Sequence, residues 1–307
     1  MLLSFVIPIY NEEACIPVLW ERLQKIAQDL KAYTVEYVFV DDGSSDLSFA
    51  SLADLSRQHR SVKVLRFSRN FGHQMAITAG LAYATGDAVI VMDADLQDPP
   101  EVVIQMVSKY EEGYDVVYAV RRSRSGETAF KKVTAKYFYK ILNAMSSVSI
   151  PLDTGDFRLV SRRVADVLKD MDEQDRFVRG LVSWVGFRQT PIYFERHSRL
   201  AGETKYPLKK MVSFALNGIL SFSTIPLKLA SWLGFFFAFV SGLYIFVVIF
   251  LRLMGHTFPG YASLMVAMLM LGGIQLMTIG ILGEYVGRLY MASKKRPLYI
   301  VQESLNV

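Results

Sequence analysis

Asp93 and Asp95 are the sharpest chemical pair in the chain. They stand in Asp93-Ala94-Asp95-Leu96-Gln97-Asp98-Pro99-Pro100, directly after an apolar run. Alternate residues of an extended stretch can both reach one hard cation. Mg2+ or Mn2+ prefers such oxygen ligands, and phosphates can complete the shell. The competing reading is a capping turn, because Asp favours turns and helix N-termini. Two further acidic clusters have the same setting. Pro8-Ile9-Tyr10-Asn11-Glu12-Glu13 follows one apolar run and Asp41-Asp42-Gly43-Ser44-Ser45-Asp46 follows another. A single acidic turn would be ordinary, and Asp46 and Asp98 read as helix caps. Three clusters at successive strand ends repel one another unless a cation or hydrogen-bond donors offset them.

The elements that must position these residues alternate. Short β-rich runs fall at Leu3–Ile9, Val35–Val40, Val62–Phe67, Ala88–Met92 and Asp115–Ala119. Helical patterns fill the intervals at Glu12–Leu30, Leu47–Gln58, Gln74–Ala84 and Pro100–Glu112. This order predicts an α/β fold, a mostly parallel Rossmann-like sheet with helices on both faces. Ligands of such sheets bind beyond the carboxyl ends of the strands, where the acidic clusters lie. His73, after Gly72, could meet a phosphate there or pack at a helix start.

The 307 residues carry 34 Lys+Arg against 29 Asp+Glu, a net charge of +5, and 52% are hydrophobic. With a mean hydropathy of +0.26, a disordered or collagen-like chain is excluded. Cys15 is the only cysteine, so no intrachain disulfide or four-cysteine zinc site can form. The apolar excess is concentrated late. Ala230–Leu251 and Gly260–Leu282 contain no charged residue. Each is long enough to cross about 30 Å of hydrocarbon. Arg252–Pro259 would connect them as a hairpin. Lys205, Lys209, Lys210 and Lys228 precede the first run, and Arg288, Lys294, Lys295 and Arg296 follow the second. The positive-inside rule then places both termini in the cytoplasm and the connector outside. The N-terminus shows no signal-peptide pattern. Two basic amphipathic stretches, 129–145 with Lys132, Lys136 and Lys140, and 207–227, suit an interfacial position. The first could equally pack on the domain core. The positive charge suits anionic lipid, and no nucleic-acid motif is present.

Pro8-x-Tyr10-Asn11-Glu12, Asp41-Asp42-Gly43-Ser44-x-Asp46 and Asp93-x-Asp95-x-Gln97-Asp98 together resemble the family-2 inverting glycosyltransferases of GT-A fold. Arg66-Phe67-Ser68-Arg69-Asn70-Phe71-Gly72, Gly155-Asp156-Phe157-Arg158-Leu159 and Arg199-Leu200-Ala201-Gly202-Glu203-Thr204-Lys205-Tyr206 narrow this to the polyprenyl-phosphate glycosyltransferases. The two-span tail is most similar to the GtrB-type bactoprenol glucosyltransferases and their aminoarabinose-transferring relatives. The Gln174–Trp184 stretch lacks the Q-x-x-R-W spacing of processive polysaccharide synthases.

The resemblance implies a role for each matching position. Pro8, Tyr10, Glu12, Asp41 and Asp42 would line the nucleotide pocket. Asp93, Asp95 and Gln97 would hold Mg2+ or Mn2+ and the pyrophosphate. Asp156 would serve near the sugar as a base or an orienting group; its alternative is a turn after Gly155. Arg122, Lys132, Arg199 and Lys205 would face the acceptor phosphate. The implied organisation is a GT-A domain over 1–205, interfacial helices over 206–228, two transmembrane helices over 229–288 and a cytoplasmic tail over 289–307. The implied reaction transfers glucose from UDP-glucose to undecaprenyl phosphate on the cytoplasmic face of the inner membrane, by a homo-oligomer, a tetramer. Aminoarabinose, N-acetylglucosamine and mannose are alternative sugars. A nucleotide-sugar-binding membrane partner without catalysis is the reading from another class.

Overall fold

A computed structural model describes residues 1–121, 154–171, 173–174, 176–195, 223–255 and 260–307. Eight strands form one sheet in the order β7-β5-β6-β4-β1-β2-β3-β8. They are β1 (Leu2–Ile9), β2 (Thr34–Asp41), β3 (Val62–Phe67), β4 (Ala88–Val91), β5 (Val116–Arg121), β6 (Thr154–Ser161), β7 (Gln189–Phe194) and β8 (Val301–Leu305). The central strand β1 is buried from Leu3 to Ile9, and its near-continuous apolar run reflects cover on both faces. The helices around the sheet are α1 (Ile16–Asp29), α2 (Ser48–Gln58), α3 (His73–Tyr83), α4 (Val102–Glu111), α5 (Arg162–Lys169) and α6 (Val178–Trp184).

The expected parallel core is present. β1 pairs in parallel with β2 and β4, and β2 with β3. β6, β7 and β8 were not expected from the sequence. β6 runs antiparallel between β4 and β5, and β8 antiparallel on the β3 edge. The segment 301–305, read from sequence as part of a tail, therefore belongs to the sheet. Asn306 fastens its end: its side-chain Nδ2 donates to Ser56 O at 2.6 Å and Val62 O at 3.0 Å. Helix α1 starts at Ile16 instead of Glu12. Residues 12–15 form a turn closed by Cys15 N donating to Glu12 O at 2.9 Å, and Pro17 occupies the first turn, where its missing N–H is harmless.

A second compact unit holds the two long apolar helices, α7 (Ile225–Leu253) and α8 (Tyr261–Ser293). At 1.5 Å per residue each exceeds the hydrocarbon thickness. Trp232, Phe235, Phe239 and Phe246 on α7 and Leu269 and Leu276 on α8 are exposed. Such a surface requires an apolar surrounding rather than water. Within this unit Tyr285 donates its hydroxyl to Ser223 O at 2.7 Å, tying α8 to the start of α7. The connector residues 256–259 and the basic stretches 129–145 and 207–222 lie outside the described residues.

The sheet core tolerates little added volume. Gly80 on α3 lies over β1, where a methyl group would overlap Val6 Cγ1 and stand 3.2 Å from Val6 Cβ. Val6 is fully buried and β-branched, so it has no free rotamer to yield. Gly80→Ala should destabilise the sheet unit by about 1–3 kcal/mol. Thermal unfolding of the purified protein checks this; an unchanged melting temperature would refute the close approach.

Candidate active site

The strand ends bring the acidic clusters to one edge. Register pairs Ile9 with Asp41, and Val6 with Val91, so β1, β2 and β4 run in parallel toward the same edge of the sheet. β6 runs the other way, with Val91 opposite Arg158 and Ile90 opposite Leu159. Two residues further along β4 is Asp93, and two residues back along β6 is Asp156. The register thus delivers two carboxylates to the same point from opposite strand directions.

Asp156 lies inside β6 and is 2% exposed, so the alternative of a turn after Gly155 does not hold. Arg179 on α6 grips it with two hydrogen bonds, Nε to Oδ1 at 2.8 Å and Nη2 to Oδ2 at 3.0 Å. Gln74 donates to Oδ2 at 3.2 Å, and its Oε1 accepts Val178 N at 2.9 Å, docking α6 onto α3. His73 Nε2 stands 3.2 Å from Asp156 Oδ2 and 3.3 Å from Asp93 Oδ1, bridging the two carboxylates. Burial opposes charge on Asp156, but the Arg179 guanidinium and the His73 hydrogen bond hold it well below the usual carboxylate range. Burial would also lower His73, yet the Asp156 hydrogen bond and both carboxylate charges raise it to about 9. Buried Arg158 donates to Gly155 O at 2.9 Å and is lowered by burial to about 10. A carboxylate so saturated with donors orients and compensates charge; it is a poor proton acceptor.

Asp93 is different. Burial raises its carboxyl, with the His73 charge pulling the other way. Its Oδ1 is buried and receives no hydrogen bond, with the His73 imidazole 3.3 Å away as its charge partner. Asp95 Oδ1 accepts Gln97 N at 3.1 Å in a turn where Leu96 adopts φ 57°. Among the described residues no three His, Cys, Asp or Glu side chains form a metal site by themselves. Two carboxylates with an orphaned oxygen fit a cation that takes its remaining ligands from phosphate and water.

The other predicted residues divide. Pro8 is buried opposite Val40, Tyr10 is exposed, and Glu12 N donates to Ser48 Oγ at 2.9 Å. Asp41 accepts Ser44 N at 3.1 Å, with Arg66 Nε 3.6 Å from its other oxygen. Asp42 receives the amides of Phe71 at 2.7 Å and Gly72 at 2.9 Å, so it shapes the loop after β3. Burial raises both carboxyls. Asp46 accepts Ser48 N at 3.0 Å at the start of α2. Asp98 is not a cap: it is buried and paired with Arg121 at 3.0 Å, because the β5 end lies over this turn. Arg122, Lys132, Arg199 and Lys205 lie outside the described residues. Arg179 and Gln74 were missed by sequence reasoning. Their partner is 23 and 82 residues away, and only the pairing of β6 with β4 reveals the contact.

Two family descriptions match the chain: "Glycosyl transferase family 2" over residues 4–168, and "GtrB C-terminal hairpin" over residues 225–289. The Bacillus subtilis glycosyltransferase YkcC is 52% identical over 99% of this chain and 94% of its own length. A prophage bactoprenol glucosyl transferase homolog of Escherichia coli is 42% identical, covering 98% of this chain and 99% of the relative. Among solved structures, mannosyl-3-phosphoglycerate synthase from Rubrobacter xylanophilus is 18% identical over 71% of each chain, with a TM-score of 0.48.

The Asp156–Arg179 pair should behave as a unit. Arg179→Ala and Asp156→Asn should each lower turnover and melting temperature. The double variant should lose less than the sum, with a coupling of about 1.5–3 kcal/mol for a charged hydrogen-bonded pair. A double-mutant cycle on kcat and on unfolding checks this; additive losses would show that the two side chains act separately.

Proposed function

The chain belongs to glycosyl transferase family 2, and from that premise we propose that it moves a sugar from a nucleotide diphosphosugar to a polyprenyl phosphate at a membrane surface. The observation that carries this reading is the meeting of Asp93, His73, Asp156 and Arg179 at the carboxyl edge of the sheet, in a chain that continues into the apolar hairpin. Relatives at 42–43% identity over nearly the whole chain are named bactoprenol glucosyl transferases, which favours glucose as the sugar, UDP-glucose as donor and undecaprenyl phosphate as acceptor.

The chemistry is one displacement. An acceptor phosphate oxygen attacks the anomeric carbon, its lone pair forms the new C–O bond, and the bond to the nucleoside diphosphate breaks with its electron pair. A single displacement inverts the anomeric centre. The acceptor is a phosphate monoester with a charge of about −1.5 to −2 at pH 7, so no strong base is required. What it requires is alignment and charge compensation beside an acidic site. Asp156, fixed by Arg179 and Gln74, orients His73 and the adjoining edge. Asp93 and Asp95, with Gln97 in the same turn, would hold Mg2+ or Mn2+. When bound, that cation would offset the charge gathered on the diphosphate leaving group. Pro8, Tyr10, Glu12, Asp41 and Asp42 are assigned to the nucleoside side, and Arg122, Lys132, Arg199 and Lys205 to the acceptor phosphate.

The sheet supports the proposed topology. Strands β1–β7 precede the hairpin and β8 follows it, yet all eight share one sheet. The chain entering α7 and the chain leaving α8 must therefore end on the same side of a bilayer, which two crossings satisfy. Lys294, Lys295 and Arg296 after α8 favour the cytoplasm as that side by the positive-inside rule, and the membrane we assign is the plasma membrane.

Radiolabelled glucose from UDP-glucose should enter an organic-soluble lipid fraction when undecaprenyl phosphate is present. EDTA should abolish this, and Asp95→Asn should abolish cation-dependent turnover while leaving the protein folded and membrane-bound. Transfer from a nucleotide aminoarabinose, N-acetylglucosamine or mannose donor alone would replace the sugar. Undiminished activity in EDTA would remove the metal assignment, and label in no lipid would favour a non-catalytic binder.

The connector between the helices should be extracytoplasmic. In a Cys15→Ser background, His256→Cys should react with an impermeant thiol reagent in intact cells. Labelling only after permeabilisation would reverse the topology.

A further inference from the structure

The segment after the second apolar helix touches the loop that borders the site. Ile300 O accepts the amide of Ser68 at 3.0 Å. Tyr299 stacks on Phe67, with ring centroids 5.1 Å apart and planes 16° from parallel. Phe67 meets Phe71 edge-on at 5.6 Å, and Phe71 and Gly72 give their amides to Asp42. The same loop is pressed against the end of β2: a Cβ on Gly43 would stand 2.5 Å from Arg69 C and 2.8 Å from Asn70 N, with Gly43 at φ +71°. His73, the residue that bridges Asp93 and Asp156, follows directly. Residues 68–70 are exposed, and the Arg69 guanidinium lies over the Phe71 ring, 4.1 Å from its centroid. Their shape rests on Asp42 from one side and on Tyr299 and Ile300 from the other.

We propose that residues 299–306 are a positioning strap for the nucleotide-sugar pocket: Tyr299 and Ile300 hold the 68–72 loop in the form that Asp42 caps, and Asn306 anchors the strap's far end. Five residues, 294–298, separate the strap from α8, so the hairpin and the proposed donor pocket are joined by a short covalent connection as well as through the chain before α7. Gln302, Glu303 and Ser304 are all exposed, and Leu305 at the end of the strand packs against the core. An exposed edge strand of this kind contributes by pairing and by what it presses upon, here Phe67, which is 1% exposed.

This inference rests on the reading that the strand-end pocket takes a nucleotide sugar, and the test separates the two. Full-length protein in nanodiscs carries Tyr299→Ala, Tyr299→Phe or Asn306→Ala. Calorimetry measures UDP-glucose affinity with Mn2+, and hydrogen exchange follows the amides of residues 68–72. Loss of one aromatic stack should weaken binding about threefold to tenfold. Exchange in the loop should quicken, while kcat at saturating donor stays within about twofold. Tyr299→Phe keeps the ring and should restore both affinity and protection. Asn306→Ala should quicken exchange in 301–305 and, to a smaller degree, in 68–72, which keeps the test decisive if Tyr299→Ala fails to fold. Unchanged loop exchange with unchanged affinity would overturn the strap. Faster exchange without any UDP-glucose binding by the wild type would uphold the strap and overturn the donor assignment.

Discussion

Everything at the carboxyl edge depends on keeping Asp156 ionised inside a sheet. A carboxylate removed from water costs several kcal/mol unless donors replace its hydration. Here Arg179 supplies a planar two-pronged grip, Gln74 a third donor and His73 a fourth contact. Each donor comes from a helix start packed on the sheet, so the position of α3 and α6 and the charge of Asp156 are one problem. Removing any donor returns part of the desolvation cost to the carboxylate.

The same constraint explains why Asp93 differs from its neighbour across the register. Asp156 has its donors built into the protein; Asp93 shares only the His73 edge and keeps a buried oxygen without a hydrogen bond. Two like charges placed together by strand register cannot both be satisfied by a single imidazole. The protein satisfies one completely and the other only through the charge of His73. A diphosphate accompanied by a divalent cation has the charge pattern that this asymmetry would accept.

The parallel strands, their acidic ends and the apolar hairpin were legible because each is a local pattern: continuous apolar runs for doubly covered strands, Asp-rich turns at their carboxyl ends, and two long uncharged stretches. β6 and β8 were not. β6 reads Thr154-Gly155-Asp156-Phe157-Arg158-Leu159, with charges inside the run that a periodicity argument reads as a turn; it is a strand because Asp156 is neutralised by His73 and Arg179, distant in sequence, while Arg158 pairs locally with Asp156 and the Gly155 carbonyl. β8 is short and polar, and only the open edge of β3 makes it a strand. The cap reading of Asp98 failed for a related reason: the Arg121 that pairs with it comes from a strand end that the local sequence does not announce.

An anchored enzyme with a water-soluble donor and a proposed lipid acceptor must hold its pocket at a fixed place against a surface that moves. The sheet receives the chain again after the hairpin: β3 hydrogen-bonds to β8 and Asn306 closes on Ser56 and Val62. The cost of this arrangement is an exposed edge strand at β8. Gln302 and Glu303 on it blunt further pairing, the usual way that edges avoid recruiting another chain. The return strand therefore closes the β3 edge and brings Ile300 onto the 68–72 loop, so that edge protection and loop support come from one segment of the chain.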